Sequence, residues 1–294
     1  MVQQLKIAIQ GGPASFHDVA ARKSFAKKSL ETLPCESFHS LCKALAAGET
    51  DFAVMAIENA LAGGILSNYT LLLQNNFSII GELWLPIDQN IMALPGQNLA
   101  DIHTVLTHPV ALLQCGTFLG KHPQMQPQEN HDTAESARHI KENNLKGVAA
   151  IASEEAAKLY GMQILQAHIA DRKDNYTRFL LLSRETAPSA IATKASIILG
   201  LSEKDESLEK LLLLLEAQEI AVTLTQPLPA ISTPEKQYIA LDLEGKDSEQ
   251  VQKAIAKVKT LVKELKQLGT YKGVAHPRHN AQAAKTPLAT VLHA

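Results

Sequence analysis

Residues 175–179 read Asn-Tyr-Thr-Arg-Phe and run directly into Leu180-Leu181-Leu182. A hydroxyl, Thr177, stands beside a permanent cation, Arg178, where a polar segment becomes an apolar strand. This pairing suits a reaction that must hold a carboxylate while a hydroxyl departs. The guanidinium can grip a carboxylate through two parallel hydrogen bonds, and the threonine can donate to the leaving oxygen. Both side chains are expected to face one ligand. An edge-strand arginine in a surface ion pair would give the same letters.

Other polar groups stand at places where a fold could aim them. Gly11-Gly12-Pro13-Ala14-Ser15-Phe16 reads as a turn from strand to helix, and its backbone N–H groups form a natural anion seat. An ordinary βα turn reads the same way. Glu58-Asn59 follows the apolar run Phe52 to Ile57, at the strand end that faces the crevice in open α/β sheets. Thr107-His108-Pro109 and Gln114-Cys115 lie on another strand end and the helix after it, with a structural histidine at His108 and core packing at Cys115 the preferred readings. No acid–base couple and no nucleophile with an adjacent base is evident. The set reads as a cage of hydrogen-bond donors with one cation, suited to a substrate already poised to react.

The elements that must carry these groups are legible from periodicity and breakers. Strands are expected at Leu5 to Gln10, Phe52 to Ile57, Ser78 to Ile87, Gln89 to Leu94, Thr104 to Thr107 and Ala149 to Ala152. Helices are expected at Ser15 to Lys28, Phe38 to Ala47, Tyr69 to Gln74, Ala111 to Lys121, Ala134 to Glu142 and Glu154 to Tyr160. Strand and helix thus alternate through residue 183, as in doubly wound α/β lobes. Beyond a small-residue linker, strands at Ala195 to Leu201, Ile220 to Leu228, Gln237 to Leu243 and Thr270 to Val274 enclose helices at Ser207 to Ala217 and Ser248 to Gln267. That is βαββαβ, the ferredoxin-like order.

Composition excludes several classes. With a formal net charge of −2 over 294 residues and no dense basic block, neither nucleic acid nor a membrane surface is the expected partner. No stretch approaches a membrane span. The chain runs straight into strand-like sequence without a signal-peptide pattern, and its three widely spaced cysteines read as free thiols, so a cytoplasmic location is expected. No metal-ligating pattern is present. His276 and His279 lie in a Pro- and Ala-containing tail and read as solvated.

Taken in order, these patches resemble prephenate dehydratase over residues 5–183, and residues 194–275 resemble an ACT regulatory domain. The matching elements are Gly11 to Phe16, Glu58-Asn59 with Gly63, Thr107-His108 with Gln114-Cys115, Asp132-Thr133-Ala134, Ala150-Ile151-Ala152, Tyr160-Gly161 and Asn175 to Phe179. Ala14 stands where the family commonly has Gly. Ala60 and Gly64 stand where it has Ser, Thr107 where it has Ser, and Val110 where it has Gln.

The resemblance implies a periplasmic-binding-protein-like catalytic domain over 1–185, with one lobe from about 1–85 plus 171–185 and another from 86–170. A linker over 186–193, the ACT domain over 194–275 and a flexible tail over 276–294 follow. It implies decarboxylative dehydration of prephenate to phenylpyruvate in phenylalanine biosynthesis, without a cofactor. Thr177, Asn59 and Gln114 are then the expected catalytic donors. Arg178, Ala14, Ser15, Phe16, Glu58, Thr107 and Phe179 are the expected substrate contacts. A phenylalanine site would fall at Glu206, Ser207, Leu208 and Gln226. There the family's glycine is Glu206, and its Glu-Ser-Arg-Pro element is Gln226 to Pro229, so only weak feedback is expected. A homodimer or homotetramer is expected, with the C-terminal helices as candidate contacts. Arogenate in place of prephenate, or a non-catalytic small-molecule sensor, are the competing readings.

Overall fold

The computed structural model describes residues 4–186, 189–202, 207–229 and 236–277. The elements in chain order are β1 (Leu5–Gln10), α1 (Phe16–Ser24), β2 (Leu30–Cys35), α2 (Phe38–Ala47), β3 (Phe52–Asn59), β4 (Gly63–Gly64), α3 (Leu66–Gln74) and β5 (Ser78–Pro86). Next come β6 (Asn90–Ala93), β7 (Thr104–Thr107), α4 (Pro109–Gln114), α5 (Gly116–Gly120), β8 (Gln126–Glu129), α6 (Thr133–Glu142), β9 (Val148–Ala152), α7 (Glu154–Tyr160), β10 (Gln163–Gln166) and β11 (Tyr176–Ser183). The C-terminal part holds β12 (Lys194–Ser202), α8 (Ser207–Ala217), β13 (Ala221–Leu228), β14 (Lys236–Glu244), α9 (Ser248–Leu261) and β15 (Glu264–Tyr271).

By compactness the chain divides into two units. One comprises Met1–Met55, Asn59–Leu61 and Leu85–Thr177, the other Ala56–Glu58, Ala62–Trp84 and Arg178–Ala294. The division falls within β3 and β11, so Asn59 and Thr177 belong to the first unit and Glu58 and Arg178 to the second.

In the first unit, β1 pairs in parallel with β2 and with the start of β3. A second sheet has the order β10-β6-β9-β7-β8. Its central strand β9 is buried on both faces, which its unbroken small apolar sequence allows. Ala150 and Ala152 pack with Ala134, Ala137 and Ala156 of α6 and α7. Ala149 and Ile151 pack with Ala111 and Phe118 of α4 and α5. Two-residue alternation therefore gives one helical layer per face, the doubly wound arrangement expected.

In the second unit the C-terminal sheet has the order β13-β14-β12-β15, antiparallel throughout, with α8 and α9 supplying Leu211, Leu215, Val251, Ile255 and Val258 to a core with Ile197, Leu199, Leu241 and Leu243. This is the expected ferredoxin-like order. No helix among the described residues is long and apolar enough to cross a membrane.

Several boundaries differ from the sequence expectation. The helix expected over Ala111 to Lys121 is two short helices meeting at Cys115. The helix expected to reach Gln267 ends at Leu261, and the last strand is Glu264–Tyr271. A bulge beside Ser196–Ile197 breaks the alternation of that strand and hides it from a period-two reading. The strands β2 and β8 went unread because they are edges, where Pro34 and a run of exposed polar residues are tolerated.

Candidate active site

Thr177 is held by an amide whose orientation the chain fixes. The Leu61 N–H donates to Asn59 Oδ1 at 3.0 Å, which turns Asn59 Nδ2 the other way. Nδ2 then donates to Thr177 Oγ1 at 2.9 Å and to Asn175 Oδ1 at 2.8 Å, with Tyr176 O at 3.3 Å. The Ala60 N–H donates to Tyr176 O at 2.8 Å, so the end of β3 and the start of β11 hold the trio in register. The consequence is chemical. Thr177 Oγ1 accepts from Asn59, and its own proton is left to be donated elsewhere. Thr177 is 8% exposed and Asn175 1% exposed. Asn175 Nδ2 is buried with no hydrogen-bond acceptor among the described residues, a second donor beside the threonine. Nothing in the letters singles out Asn175 beyond its place in the motif.

The opening turn is built differently from a simple anion seat. The Ala14 N–H donates to Asp18 Oδ2 at 2.9 Å and the Ser15 N–H to Gly12 O at 3.1 Å. Ser15 is 2% exposed and caps α1 by accepting from the Asp18 N–H. Of these groups, Phe16 N–H is the one at the first helical position, with no acceptor inside its own helix. Ala14 takes φ +62°, the left-handed region in which Gly is at home. Two hydrogen bonds hold it there, Ser153 Oγ donating to Ala14 O at 3.0 Å and Tyr160 Oη donating to Pro13 O at 3.1 Å. Ser153, which follows the Ala-Ile-Ala element, and Tyr160 of the Tyr-Gly element thus serve the turn. Gly11, at φ +85°, lies against the Asp132 carboxylate, leaving no room for a Cβ.

Thr107 is fully buried, and its hydroxyl donates to Ile151 O at 2.6 Å, so it ties β7 to β9. His108 caps α4, accepting the Val110 N–H at Nδ1, and burial lowers its pKa. Gln114 is half-buried and accepts from Gln89 Nε2 at 3.3 Å, while Gln89 Oε1 is buried without a donor. Cys115 is fully buried, and burial pushes its thiol up to about 12, a core role.

In the second unit the pleat of β11 sends Arg178 to the face opposite Thr177. The two side chains therefore do not share a direction, because neighbours on a strand cannot. Arg178 is 2% exposed. Its Nε donates to Glu82 Oε2 at 2.7 Å, and its Nη2 lies 2.6 Å from Asp242 Oδ2 and 3.1 Å from Tyr271 Oη. Glu58 Oε2 lies 3.8 Å from Nη1. Burial raises the Glu58 pKa against the pull of Arg178. For Asp242, burial alone would raise the pKa, but the charges of Arg178 and Lys194 and the Ser196 hydroxyl outweigh it and hold the carboxyl below its usual range. Phe179 is core, 1% exposed.

Of the expected regulatory residues, Glu206 and the Ser207 side chain lie outside the described residues. Leu208 packs on the C-terminal core. Gln226 donates to Pro227 O and abuts Gly64. In α8, Leu211 and Leu215 face inward and Leu213 is 55% exposed.

The family model for prephenate dehydratase matches residues 7–187. The bifunctional chorismate mutase/prephenate dehydratase of Enterobacter agglomerans is 31% identical over 272 residues, 90% of this chain and 70% of that protein. The chloroplastic arogenate dehydratase/prephenate dehydratase 2 of Arabidopsis thaliana is 37% identical over 235 residues, 79% of this chain and 60% of that protein. Among solved structures, GqqA, described as a novel type of quorum-quenching acylase, superposes with TM-score 0.81 at 27% identity, covering 93% of this chain and 99% of that one. A prephenate dehydratase from Arthrobacter aurescens in complex with L-Phe superposes with TM-score 0.80 at 24% identity, covering 94% of each chain, a likeness of fold. A family model spanning more than half the sequence and a relative 31% identical across nine-tenths of it together mean that this chain belongs to the prephenate dehydratase family.

Proposed function

We propose that the chain is a lyase that converts prephenate to phenylpyruvate, water and carbon dioxide, the step that leads to phenylalanine. The bond from the ring to its carboxylate breaks, the electron pair moves through the diene, and the ring hydroxyl leaves with an added proton as water. Aromatisation drives the change, and the chain's task is to place donors where charge grows on the leaving oxygen. The observation that carries this reading is the Asn59 amide donating into Thr177 Oγ1 at 2.9 Å, which leaves the threonine proton available to another acceptor. Thr177 is a positioned donor or relay, since a threonine hydroxyl is a poor general acid in water.

Asn59 sets its orientation, and Asn175 Nδ2 and Gln114 are supporting donors. The Phe16 N–H is a candidate contact for a substrate carboxylate. Arg178 has its charge already met by Glu82 and Asp242. Its guanidinium is therefore not free to give a substrate carboxylate a two-pronged grip. Buried free thiols at Cys35, Cys42 and Cys115 fit a reducing cytoplasm.

The test is side-by-side incubation with prephenate and arogenate, following phenylpyruvate and phenylalanine. Phenylpyruvate formation with prephenate preferred is expected. Preferred turnover of arogenate would move the substrate assignment, and binding without turnover of either would leave a sensor.

The ferredoxin-like part is read as an ACT domain, in a homodimer or homotetramer. Gln226 is folded onto its own strand and against Gly64, where an effector's backbone groups would need access. Phenylalanine is accordingly expected to inhibit weakly. Strong cooperative inhibition in a phenylalanine titration of the assay would contradict this.

A further inference from the structure

The signature pair Thr177-Arg178 divides its work between two faces of one strand. Thr177 carries the proposed chemistry, and Arg178 is where the C-terminal sheet grips β11. Arg178, Lys194, Glu82 and Asp242 are exposed by 2%, 4%, 7% and 3%. Two cations meet two carboxylates: Lys194 Nζ lies 3.3 Å from Glu82 and 3.4 Å from Asp242, and Arg178 contacts both acids at 2.6 Å. Lys194 Nζ also lies 3.0 Å from Glu244, and Arg178 Nη1 lies 3.8 Å from Glu58, so the two cations are met by four carboxylates in all.

Asp242 is itself fixed from behind. Ser196 Oγ donates to Asp242 Oδ1 at 2.5 Å, the Ser196 and Tyr271 hydroxyls are 2.6 Å apart, and Arg178 Nη2 donates to Tyr271 Oη. Ser196, Asp242 and Tyr271 sit on β12, β14 and β15, three neighbouring strands. A buried charge set of this kind is a poor source of stability, since apolar residues of similar volume often do as well. The hydrogen bonds from Arg178 to Glu82 and Tyr271 and from Ser196 to Asp242 are directional, and with the close Arg178–Asp242 ion contact, which lacks hydrogen-bond geometry, they provide a fixed position that apolar packing does not. The backbone so fixed is the one that carries Thr177, whose hydroxyl must be placed within a fraction of an ångström to act.

We propose that Asp242 is a positioning residue for Thr177, acting through Arg178 and the backbone of β11, which makes the C-terminal sheet part of the catalytic apparatus. This rests on the dehydratase reading of the site. The experiment measures kcat and KM for prephenate with the full chain carrying Asp242→Asn or Tyr271→Phe, each alone and combined with Thr177→Ala.

Asp242→Asn is expected to lower kcat about 10- to 100-fold with KM changed less than about threefold, and Tyr271→Phe to do the same more mildly. In the Thr177→Ala background both effects should shrink to within about twofold, because the group being positioned is gone. A merely structural role would instead lower activity by the same factor in both backgrounds. Undiminished effects with Thr177→Ala, or kcat within about twofold of the parent for both single variants, would overturn the inference while leaving the dehydratase reading intact. Should Asp242→Asn fail to fold, Tyr271→Phe, which uncovers no charge, decides by the same criteria. A parent chain that turns over neither prephenate nor arogenate sinks both the reading and the inference.

Discussion

Asn59 and Thr177 show how a weak motif becomes a chemical device. Each side chain alone is an ordinary polar residue at a strand end. Together, with the Leu61 N–H fixing the amide, they leave a hydroxyl that accepts from Asn59 and keeps its own proton to donate. Asn59→Ala should therefore lower kcat about 10- to 100-fold with a smaller change in KM, because it frees the threonine rotamer without removing its hydroxyl. Equal and large changes in both constants would instead mark Asn59 as a ground-state binding group. Asn59 stood out as a candidate in the sequence because it closes a strand at its carboxyl end, and Thr177 because it opens an apolar strand. The surroundings of Arg178 were not legible. Its partners Glu82 and Asp242 come from distant segments, and a motif names a side chain without naming the face it turns to. Two-residue alternation already forbids Thr177 and Arg178 from pointing the same way, a constraint the letters Thr-Arg conceal.

At the scale of elements, breakers and caps carried most of the reading. Phe38–Ala47 and Glu154–Tyr160 match the expected helices because each ends on a glycine in the left-handed region, Gly48 and Gly161. Strand β15 was misplaced because its informative residues answer to the second unit rather than to its own periodicity. Lys266 Nζ donates to the carbonyls of Leu73 at 2.7 Å and Asn75 at 2.6 Å, closing the C-terminal end of α3. Gly269 lies so close to Ile79 that an added Cβ would overlap the Ile79 carbonyl oxygen and amide nitrogen. Backbone cannot step aside as a side chain can. Gly269→Ala should thus destabilise the chain by about 1–3 kcal/mol, the usual cost of overpacking, seen as a lower urea midpoint at unchanged slope. A variant as stable as the parent would show that β5 and β15 part freely.

For the molecule as a whole, pH reports on the buried charges. The Asp242 carboxyl is held below its usual range in the folded chain. A depressed carboxyl contributes stability that is complete above its unfolded value, about 3.9, and is lost as pH falls through the folded value. Asp242→Asn should therefore cost about 3–5 kcal/mol near neutrality, the range for breaking a buried pair, and the gap between variant and parent should narrow below about pH 4. A gap that stays constant from neutrality into that acid range would mean that Asp242 makes no charged contribution.

The alternation of strands and helices and the βαββαβ order were open to reading from the sequence. The sharing of β3 and β11 between two compact units was not, because no local pattern marks where a strand changes company. In the proposed reaction the threonine hydroxyl, aimed by an amide, serves the departing oxygen. Turnover of prephenate by Thr177→Val tests that role most directly, since valine keeps the shape and removes the hydroxyl. A fall in kcat of about 10²- to 10³-fold is predicted. A kcat within about threefold of the parent would contradict it.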